Sequence, residues 1–375
     1  MKEIRMVDLK GQYNKIKEEV ELAMNEVIEN TAFINGPAVK TFASSLGKYL
    51  NTPYVVPCAN GTDALQIALM ALDLPEQAEI IVPTFNYVAS AEVIALMGYK
   101  PVFVDADEDL FNLDIKKLED SIGVNTKAII AVHLFGQSSH MEQLTKICEK
   151  KGLILIEDNA QAIGGSYKLN GHKFSNGLMG DIGTTSFFPS KNLGCFGDGG
   201  AVYTKNESIY LKMKQIANHG QVTKYNYDTI GINSRLDTLQ AALLNVKLKR
   251  LDDYIDARRK AAEFYDNQFY ELNDVQIPKR EENSFHVFHQ YTLKINSGQR
   301  DAIKQGLSES GIPSMIYYPK PIHLNNAYKK YAYSKGDFPV AEALSQSVIS
   351  LPMHTELDID QQSYICETFK KLINQ

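Results

Sequence analysis

The chain is poor in cysteine, with four among its 375 residues. Cys58, Cys148, Cys195 and Cys366 lie far apart, and none forms a C-x-x-C pair. This spacing argues against a disulfide scaffold and against a structural zinc site, so we predict no metal. It also favours a cytoplasmic protein kept in a reducing environment.

Long apolar runs and clusters of positive charge are also missing. No apolar stretch approaches the length that spans a bilayer, and Met1 to Arg5 is charged rather than apolar like the core of a signal peptide. The net charge is −6 at pH 7, with no basic run. We therefore expect binding neither to membranes nor to nucleic acid. A small anionic ligand stays compatible with this charge, because its binding depends on a local pocket.

The composition is that of an ordinary globular protein, with 44% hydrophobic and 22% charged residues. In the first two thirds, short apolar segments alternate with amphipathic segments of helical period, as in strand 79–83, helix 88–97 and strand 101–105. This alternation predicts an α/β fold with a mainly parallel sheet covered on both faces.

The pattern changes in the last third of the chain. Residues 285–295 and 313–318 are predicted as strands, and residues 299–310 as the helix between them. Such a mixture indicates a small α+β unit. We predict a large domain of residues 1–250 and a small C-terminal domain of residues 251–375.

One stretch places a lysine between apolar residues and glycines. Lys191 follows Phe187-Phe188-Pro189 and precedes Gly194 and three further glycines. A lysine held against apolar walls has a lowered pKa, and its free amine can attack an aldehyde. The alternative is a surface loop whose lysine points into water, and this stretch alone does not decide between the two.

Two other stretches suit a ligand. Strand 54–59 runs through Gly61-Thr62 into an apolar helix, and such a junction presents free N–H groups to a phosphate. Plain capping of the helix is the alternative. The apolar strand 152–157 delivers Asp158 at its carboxyl end, where open α/β sheets bind ligands. Alone, that acid is also explained as a helix cap, but adjacent strands could bring it to the same cleft as Lys191.

Several residues in loops are weaker candidates. Tyr87 follows a strand and could stack on a planar ring or belong to the core. Residues 218–235, which include His219, form a long irregular segment of the kind that is often functional. Tyr317 and Tyr318 precede a proline-rich loop that carries His323, and the two tyrosines could face a ligand or cover the sheet.

Together these motifs resemble the DegT–DnrJ–StrS family of nucleotide-sugar aminotransferases, which use pyridoxal 5′-phosphate (PLP). The resemblance extends from Val7 to His354 and keeps the family's order of motifs. It implies the aspartate-aminotransferase-like fold (PLP-dependent transferase fold type I). The motifs that carry it are Asn60-Gly61-Thr62-Asp63-Ala64-Leu65, Glu157-Asp158-Asn159-Ala160-Gln161, Ser186-Phe187-Phe188-Pro189-Ser190-Lys191 and Asn233-Ser234-Arg235-Leu236-Asp237.

The resemblance also implies roles for single residues. Lys191 is expected to hold PLP as a Schiff base and then to move a proton. Asp158 is expected to pair with the ring nitrogen and Gln161 to bond near the ring hydroxyl, with Tyr87 stacked on the ring face. The phosphate is expected to bind Gly61, Thr62 and Ser186 of the same chain.

Family members are expected to act as homodimers with shared active sites. Asn233 is expected to reach the phosphate from the neighbouring subunit, and Arg235 to grip a carboxylate of the sugar from the same side. The predicted substrate contacts are completed by His219, Tyr317, Tyr318 and His323.

The implied reaction moves the amino group of glutamate onto C3 of a nucleotide-linked keto sugar. The motifs are most similar to the branch that acts on UDP-2-acetamido-2-deoxy-3-keto-glucuronate, for cell-surface polysaccharide. The Tyr317-Tyr318 pair instead resembles enzymes of dTDP-3-keto-6-deoxyhexoses, which remain the alternative. Sugar dehydratases of the family replace the lysine by histidine, so Lys191 favours transamination. A PLP-binding regulatory protein is a further alternative.

Overall fold

A computed structural model describes residues 3–296 and 298–374 of the chain. The helices, numbered in chain order, are α1 (Leu9–Glu29), α2 (Pro37–Leu50), α3 (Gly61–Ala71), α4 (Ala89–Leu96), α5 (Ile115–Leu118), α6 (Met141–Lys151), α7 (Glu207–Ile216), α8 (Thr238–Leu248), α9 (Leu251–Phe269), α10 (Arg300–Glu309), α11 (Pro339–Ser347) and α12 (Ile359–Ile373). Within residues 3–296 and 298–374, no helix combines the length and the apolar character needed to cross a bilayer.

The strands form one large sheet and three small ones. They are β1 (Tyr54–Cys58), β2 (Glu79–Pro83), β3 (Lys100–Val104), β4 (Thr126–Val132), β5 (Ile154–Asp158), β6 (Ser166–Leu169), β7 (His172–Ser175), β8 (Ile182–Ser186), β9 (Gly200–Thr204), β10 (Gln221–Thr223), β11 (Asn226–Tyr227), β12 (Val275–Gln276), β13 (Ser284–Phe285), β14 (Tyr291–Ile295) and β15 (Val348–Leu351).

The large sheet has the strand order β1-β9-β8-β5-β4-β2-β3. Its pairs from β8 to β3 are parallel, and β9 runs antiparallel to both of its neighbours. The predicted α/β fold with a mainly parallel sheet is confirmed. In the register of the sheet, Asp158 pairs with Val132 of β4 and Thr184 of β8, so several strands end beside this carboxylate.

Apolar side chains alternate between the two faces of the sheet, as the period of a strand requires. On β2, Ile80 and Val82 pack in a cluster with helices α3 and α4, whereas Ile81 packs on the opposite face against α6. Burying each such side chain contributes about 1.5–3 kcal/mol. The sheet is therefore a rigid platform covered on both faces.

The C-terminal part has its own apolar cluster around the antiparallel sheet β12-β14-β15. Phe269 of α9, Leu307 of α10 and Phe369 of α12 are buried in it, and so is Ile4 from the start of the chain. The division into residues 1–250 and 251–375 stays a prediction.

Some predicted elements are wrong in detail. The single strand over 285–295 is two strands, because residues 286–290 turn and Phe288 takes a φ of 45°. Residues 313–318 form no strand and make one bridge, between Met315 and Ser350. Residues 113–122, which the sequence pattern predicts as one helix, form only α5 and a short 3-10 turn. Residues 218–235 contain a two-stranded hairpin, β10-β11.

Candidate active site

A cleft of about 820 Å³ opens where parallel strands of the large sheet end. Residues that follow β2, β5 and β8 contribute to its wall, and so does the turn from β1 into α3. The cleft brings together most of the residues predicted from sequence, namely Gly61, Thr62, Tyr87, Asp158, Gln161, Ser186, Lys191, Tyr317 and Tyr318.

The N-terminus of α3 forms one end of the cleft. Asn60 caps this helix by accepting a hydrogen bond from the N–H of Asp63 at 2.8 Å. The N–H groups of Gly61 and Thr62 have no acceptor among the described residues, as expected at a helix start. A Cβ on Gly61 would lie 2.7 Å from the Cβ of Ser186, so only glycine allows the serine this close. Two N–H groups and a hydroxyl are therefore available to bind an anion.

Lys191 lies in the loop between β8 and β9. This loop is closed by hydrogen bonds from the N–H of Phe187 to Gly199 O at 2.7 Å and from the N–H of Cys195 to Phe187 O at 2.8 Å. Burial lowers the pKa of Lys191 to about 8, with Asp158 acting in the opposite direction. No acceptor bonds its Nζ among residues 3–296 and 298–374. The amine is therefore about half unprotonated near pH 8, and no hydrogen bond to a described residue restrains it.

Asp158 is 6% exposed. Burial raises its pKa, and this effect is opposed by the N–H of Ala160, by Lys191 and by the hydroxyl of Ser90. Ala160 donates to Oδ1 and Ser90 donates to Oδ2, both at 3.1 Å. A buried carboxylate with these donors is suited to pair with a cation placed in the cleft.

Gln161 and Tyr318 form a bonded pair at the wall of the cleft. The Oε1 atom of Gln161 accepts from the N–H of Phe135 at 2.8 Å, and its Nε2 donates to the Tyr318 hydroxyl at 3.1 Å. Burial raises the pKa of Tyr318, so its hydroxyl keeps its proton. The tyrosine predicted as a sugar contact is thus bonded to the glutamine predicted as a cofactor contact.

The aromatic residues differ in exposure. Tyr87 is 58% exposed, and its ring centroid lies 6.4 Å from that of Tyr318. Tyr317 is partly buried, and its ring lies next to that of Tyr318. All three line the cleft, so the ring of Tyr87 is accessible for stacking.

Four predicted residues lie outside the wall of this cleft. Asn233 and His219 are exposed and Arg235 is partly exposed, all in or beside the segment 218–235. His323 is buried, with Nδ1 2.8 Å from Thr84 Oγ1 and Nε2 3.2 Å from Glu342 Oε1. Because protein atoms occupy both nitrogens, the fold of this chain offers no free group of His323 to a substrate.

The predictions from sequence left out further polar residues at the site. Asn86, His289 and Gln290 line the cleft, and Ser90 bonds Asp158 from behind it. Asn86 and Ser90 flank the predicted Tyr87 in a mostly apolar segment, which is a signal that was available. His289 and Gln290 fall inside the wrongly predicted strand 285–295. A continuous strand there gives no reason to expect their side chains at a ligand site.

Comparison with known proteins identifies the family. Residues 14–370 match the model of the DegT/DnrJ/EryC1/StrS aminotransferase family. A pleiotropic regulatory protein of Geobacillus stearothermophilus is 41% identical over 366 residues, which are 97% of either chain. The UDP-2-acetamido-2-deoxy-3-oxo-D-glucuronate aminotransferase of Pseudomonas aeruginosa is 40% identical, over 97% of this chain and 98% of that protein. The crystal structure of S. venezuelae DesV, in complex with a ketimine intermediate, matches with a TM-score of 0.95 at 33% identity, over 100% of both chains.

The chain therefore belongs to the DegT/DnrJ/EryC1/StrS aminotransferase family. It is a PLP-dependent aminotransferase of fold type I. The cleft fits this cofactor, because free N–H groups of Gly61 and Thr62 suit a phosphate, a buried Asp158 suits a protonated ring nitrogen, and the unrestrained amine of Lys191 suits an aldehyde.

Proposed function

We propose that this enzyme moves the amino group of glutamate onto C3 of a UDP-linked 2-acetamido-3-keto sugar. Its best candidate substrate is UDP-2-acetamido-2-deoxy-3-keto-glucuronate, made into a precursor of cell-surface polysaccharide. The observation that carries the transamination is the pairing of Lys191 and Asp158 in one cleft. The choice of sugar is supported by the similarity to the P. aeruginosa enzyme over almost the whole chain.

The proposed roles follow from the positions of the side chains. PLP supplies an electron sink when it is bound. Lys191 would hold its aldehyde carbon and, once released, would carry a proton to and from the substrate carbon, because burial lowers the pKa of its amine to about 8. Asp158 pairs with the ring nitrogen, Gln161 orients the ring edge and Tyr87 covers the ring face. Gly61, Thr62 and Ser186 hold the phosphate.

A homodimer with shared sites belongs to this proposal. Asn233 and Arg235 do not line the cleft of their own chain, while Tyr225 and Ile230 in the same segment are strongly exposed apolar side chains. Covering them with a second copy of the chain removes apolar surface from water. In the dimer, Asn233 reaches the phosphate, and Arg235 and His219 reach the sugar in the neighbouring site.

Mixing two inactive variants tests the shared site. K191A and R235A homodimers are each expected to be inactive, whereas a hybrid dimer contains one intact site made from Lys191 of one chain and Arg235 of the other. Random re-association of equal amounts should return about a quarter of the wild-type activity, since half of the dimers are hybrids with one working site. Absence of any recovery, with hybrid dimers demonstrated by mass spectrometry, contradicts the shared site.

The substrate is tested by offering UDP- and dTDP-linked 3-keto sugars with glutamate and weighing the products. The proposal expects an amine-bearing product from the UDP-linked uronate. The Tyr317-Tyr318 pair favours a dTDP-linked 3-keto-6-deoxyhexose instead, and exclusive amination of that sugar would replace the substrate proposed here. Loss of oxygen from the sugar without gain of nitrogen would indicate a dehydratase.

A regulatory role is the second candidate, because the G. stearothermophilus relative carries a regulatory name at 41% identity. The two candidates separate in one assay. Amino transfer to a keto sugar that is lost in K191A establishes the enzyme, whereas PLP binding without turnover on any sugar of the panel favours the regulator.

A further inference from the structure

Behind Asp158 lies a buried chain of hydrogen bonds that reaches the wall of the cleft. Asn86 is 4% exposed and Ser90 is 1% exposed. The Nδ2 atom of Asn86 donates to Ser90 Oγ at 2.6 Å, and Ser90 Oγ donates to Asp158 Oδ2 at 3.1 Å. Since Ser90 lies in the first turn of α4 and Asn86 four residues earlier, both are fixed by the start of one helix.

The chemistry of the three groups sets the direction of these bonds. An ionised carboxylate has no proton to give, and a serine hydroxyl has one. Ser90 can bond both neighbours only if it accepts from the amide nitrogen of Asn86 and gives its proton to Asp158. If the Asn86 amide were flipped, its Oδ1 atom would accept the hydrogen bond from the Ser90 hydroxyl. The Oδ2 atom of Asp158 would then lose this donor.

The hydroxyl of Ser90 is one of only two hydrogen-bond donors to the Asp158 carboxylate among the described residues. This carboxylate is otherwise held by the N–H of Ala160, with Lys191 and His133 as the nearby groups of possible positive charge. Once Lys191 is bound to the cofactor's aldehyde, as the proposed function requires, its charge is no longer a free ammonium. The oriented hydroxyl of Ser90 is then a fixed donor that favours the charged carboxylate.

We propose that Ser90, oriented by Asn86, is a positioning residue that keeps Asp158 ionised and thereby keeps the proton on the ring nitrogen of PLP. This inference rests on the proposed pairing of Asp158 with that nitrogen. A carboxylate that receives a hydrogen bond is a weaker base, so it competes less for the shared proton. Removing the hydroxyl moves the proton from the ring towards Asp158.

The test uses the full-length protein loaded with PLP labelled with ¹⁵N in the ring, so that the ring nitrogen reports its own protonation. In the wild type we expect the resonance of a protonated ring nitrogen. In S90A it should shift towards the unprotonated position, and S90T, which keeps a hydroxyl, should restore it. The dissociation constant of PLP should rise roughly ten-fold in S90A, the size of one lost hydrogen bond to a charge.

A matched control removes a buried serine hydroxyl elsewhere. Ser345 on α11 is also fully buried and donates to Ala341 O at 3.0 Å, and S345A should leave the ring resonance unchanged. If S90A does not fold, S90C carries the test, because it keeps a side chain of similar size while its thiol is a much weaker hydrogen-bond donor. S90C should then shift the resonance as S90A does.

The outcomes separate the two levels of the proposal. If D158A shifts the resonance but S90A and S90C leave it at the wild-type position, Ser90 has no such role and the pairing of Asp158 stands. A shift in S90A that S90T does not restore reports packing and also overturns the role of the hydroxyl. If the wild-type ring nitrogen is already unprotonated, or D158A leaves it unchanged, the pairing itself fails.

Discussion

Two lysines of this protein have similarly lowered pKa values but differ in their access to the cleft. Burial lowers the pKa of both Lys191 and Lys247 to about 8. Lys191 lines a cleft and has no bonded acceptor among the described residues. Lys247 on α8 is 1% exposed, and its Nζ donates to Gly194 O at 2.5 Å, within the loop that carries Lys191. A lowered pKa therefore indicates a desolvated amine. Whether that amine can react depends on whether a ligand in the cleft can reach it.

The largest effect is expected from removing the accessible amine. K191A should lower amino transfer by about 10²–10⁴-fold, the range for loss of a positioned acid–base group. Borohydride reduction of wild-type enzyme with PLP should fix the cofactor to Lys191, as located by peptide mass mapping. An adduct on Lys247 would break the comparison, since it would show that burial does not protect that amine.

The cleft can also be altered without touching either lysine. In G61A the new methyl group meets Ser186, and overpacking of this kind costs about 1–3 kcal/mol. PLP should bind about ten-fold more weakly or worse, as measured by fluorescence titration, while the fold is retained. G123A is the matched control, because there the nearest atom is a carboxylate oxygen of the Glu79 side chain at 3.3 Å, which can shift by a few tenths of an ångström. Equal affinities of the two variants would contradict the phosphate site.

Removing the inaccessible amine should affect stability first. K247M keeps the length of the side chain but leaves the carbonyl of Gly194 without its donor, which costs about 1–3 kcal/mol. Urea unfolding should detect this loss, whereas the exposed neighbour variant K249M should behave as the wild type. Borohydride trapping at Lys191 should still occur. If K247M matches the wild type in unfolding, the bond to Gly194 does not hold the loop.

The smallest effect concerns pH. A lysine whose pKa is about 8 in the folded protein and 10.5 in the unfolded chain binds fewer protons when folded, so stability rises with pH between these values. Lys247 should contribute up to about 1 kcal/mol of this rise from pH 8 to 9. Urea unfolding of the PLP-free protein should show a shallower rise in K247M. Identical slopes would indicate that Lys247 is not titrating in this range.

Much of the site was accessible from sequence because strand ends are easy to recognise. The apolar run before Asp158 and the Gly61-Thr62 junction define two edges of the cleft, and the glycines after Lys191 mark its loop. Asn170-Gly171 between β6 and β7 is a dipeptide typical of a tight β-hairpin turn. This hairpin could also be predicted from sequence, but it is missing from the predictions above.

Other features depend on contacts that are distant in the chain. The turn at Phe288 interrupts a segment with strand-like composition, because residues 286–290 pack against Gly136 and Arg258. The bond from Ser90 to Asp158 joins residues 68 positions apart. Neither has a local pattern, so periodicity and turn chemistry do not reveal them.

The position of Ile4 in the C-terminal apolar cluster has a consequence for synthesis. The N–H of Met353 donates to Met6 O at 3.2 Å, and Gln361 Nε2 donates to Glu3 O at 3.1 Å. Residues 3–6 therefore leave the ribosome roughly 350 residues ahead of their partners, a delay of roughly 20–70 s at ordinary translation rates. The C-terminal cluster can therefore be completed only after residues 353–361 have been synthesised.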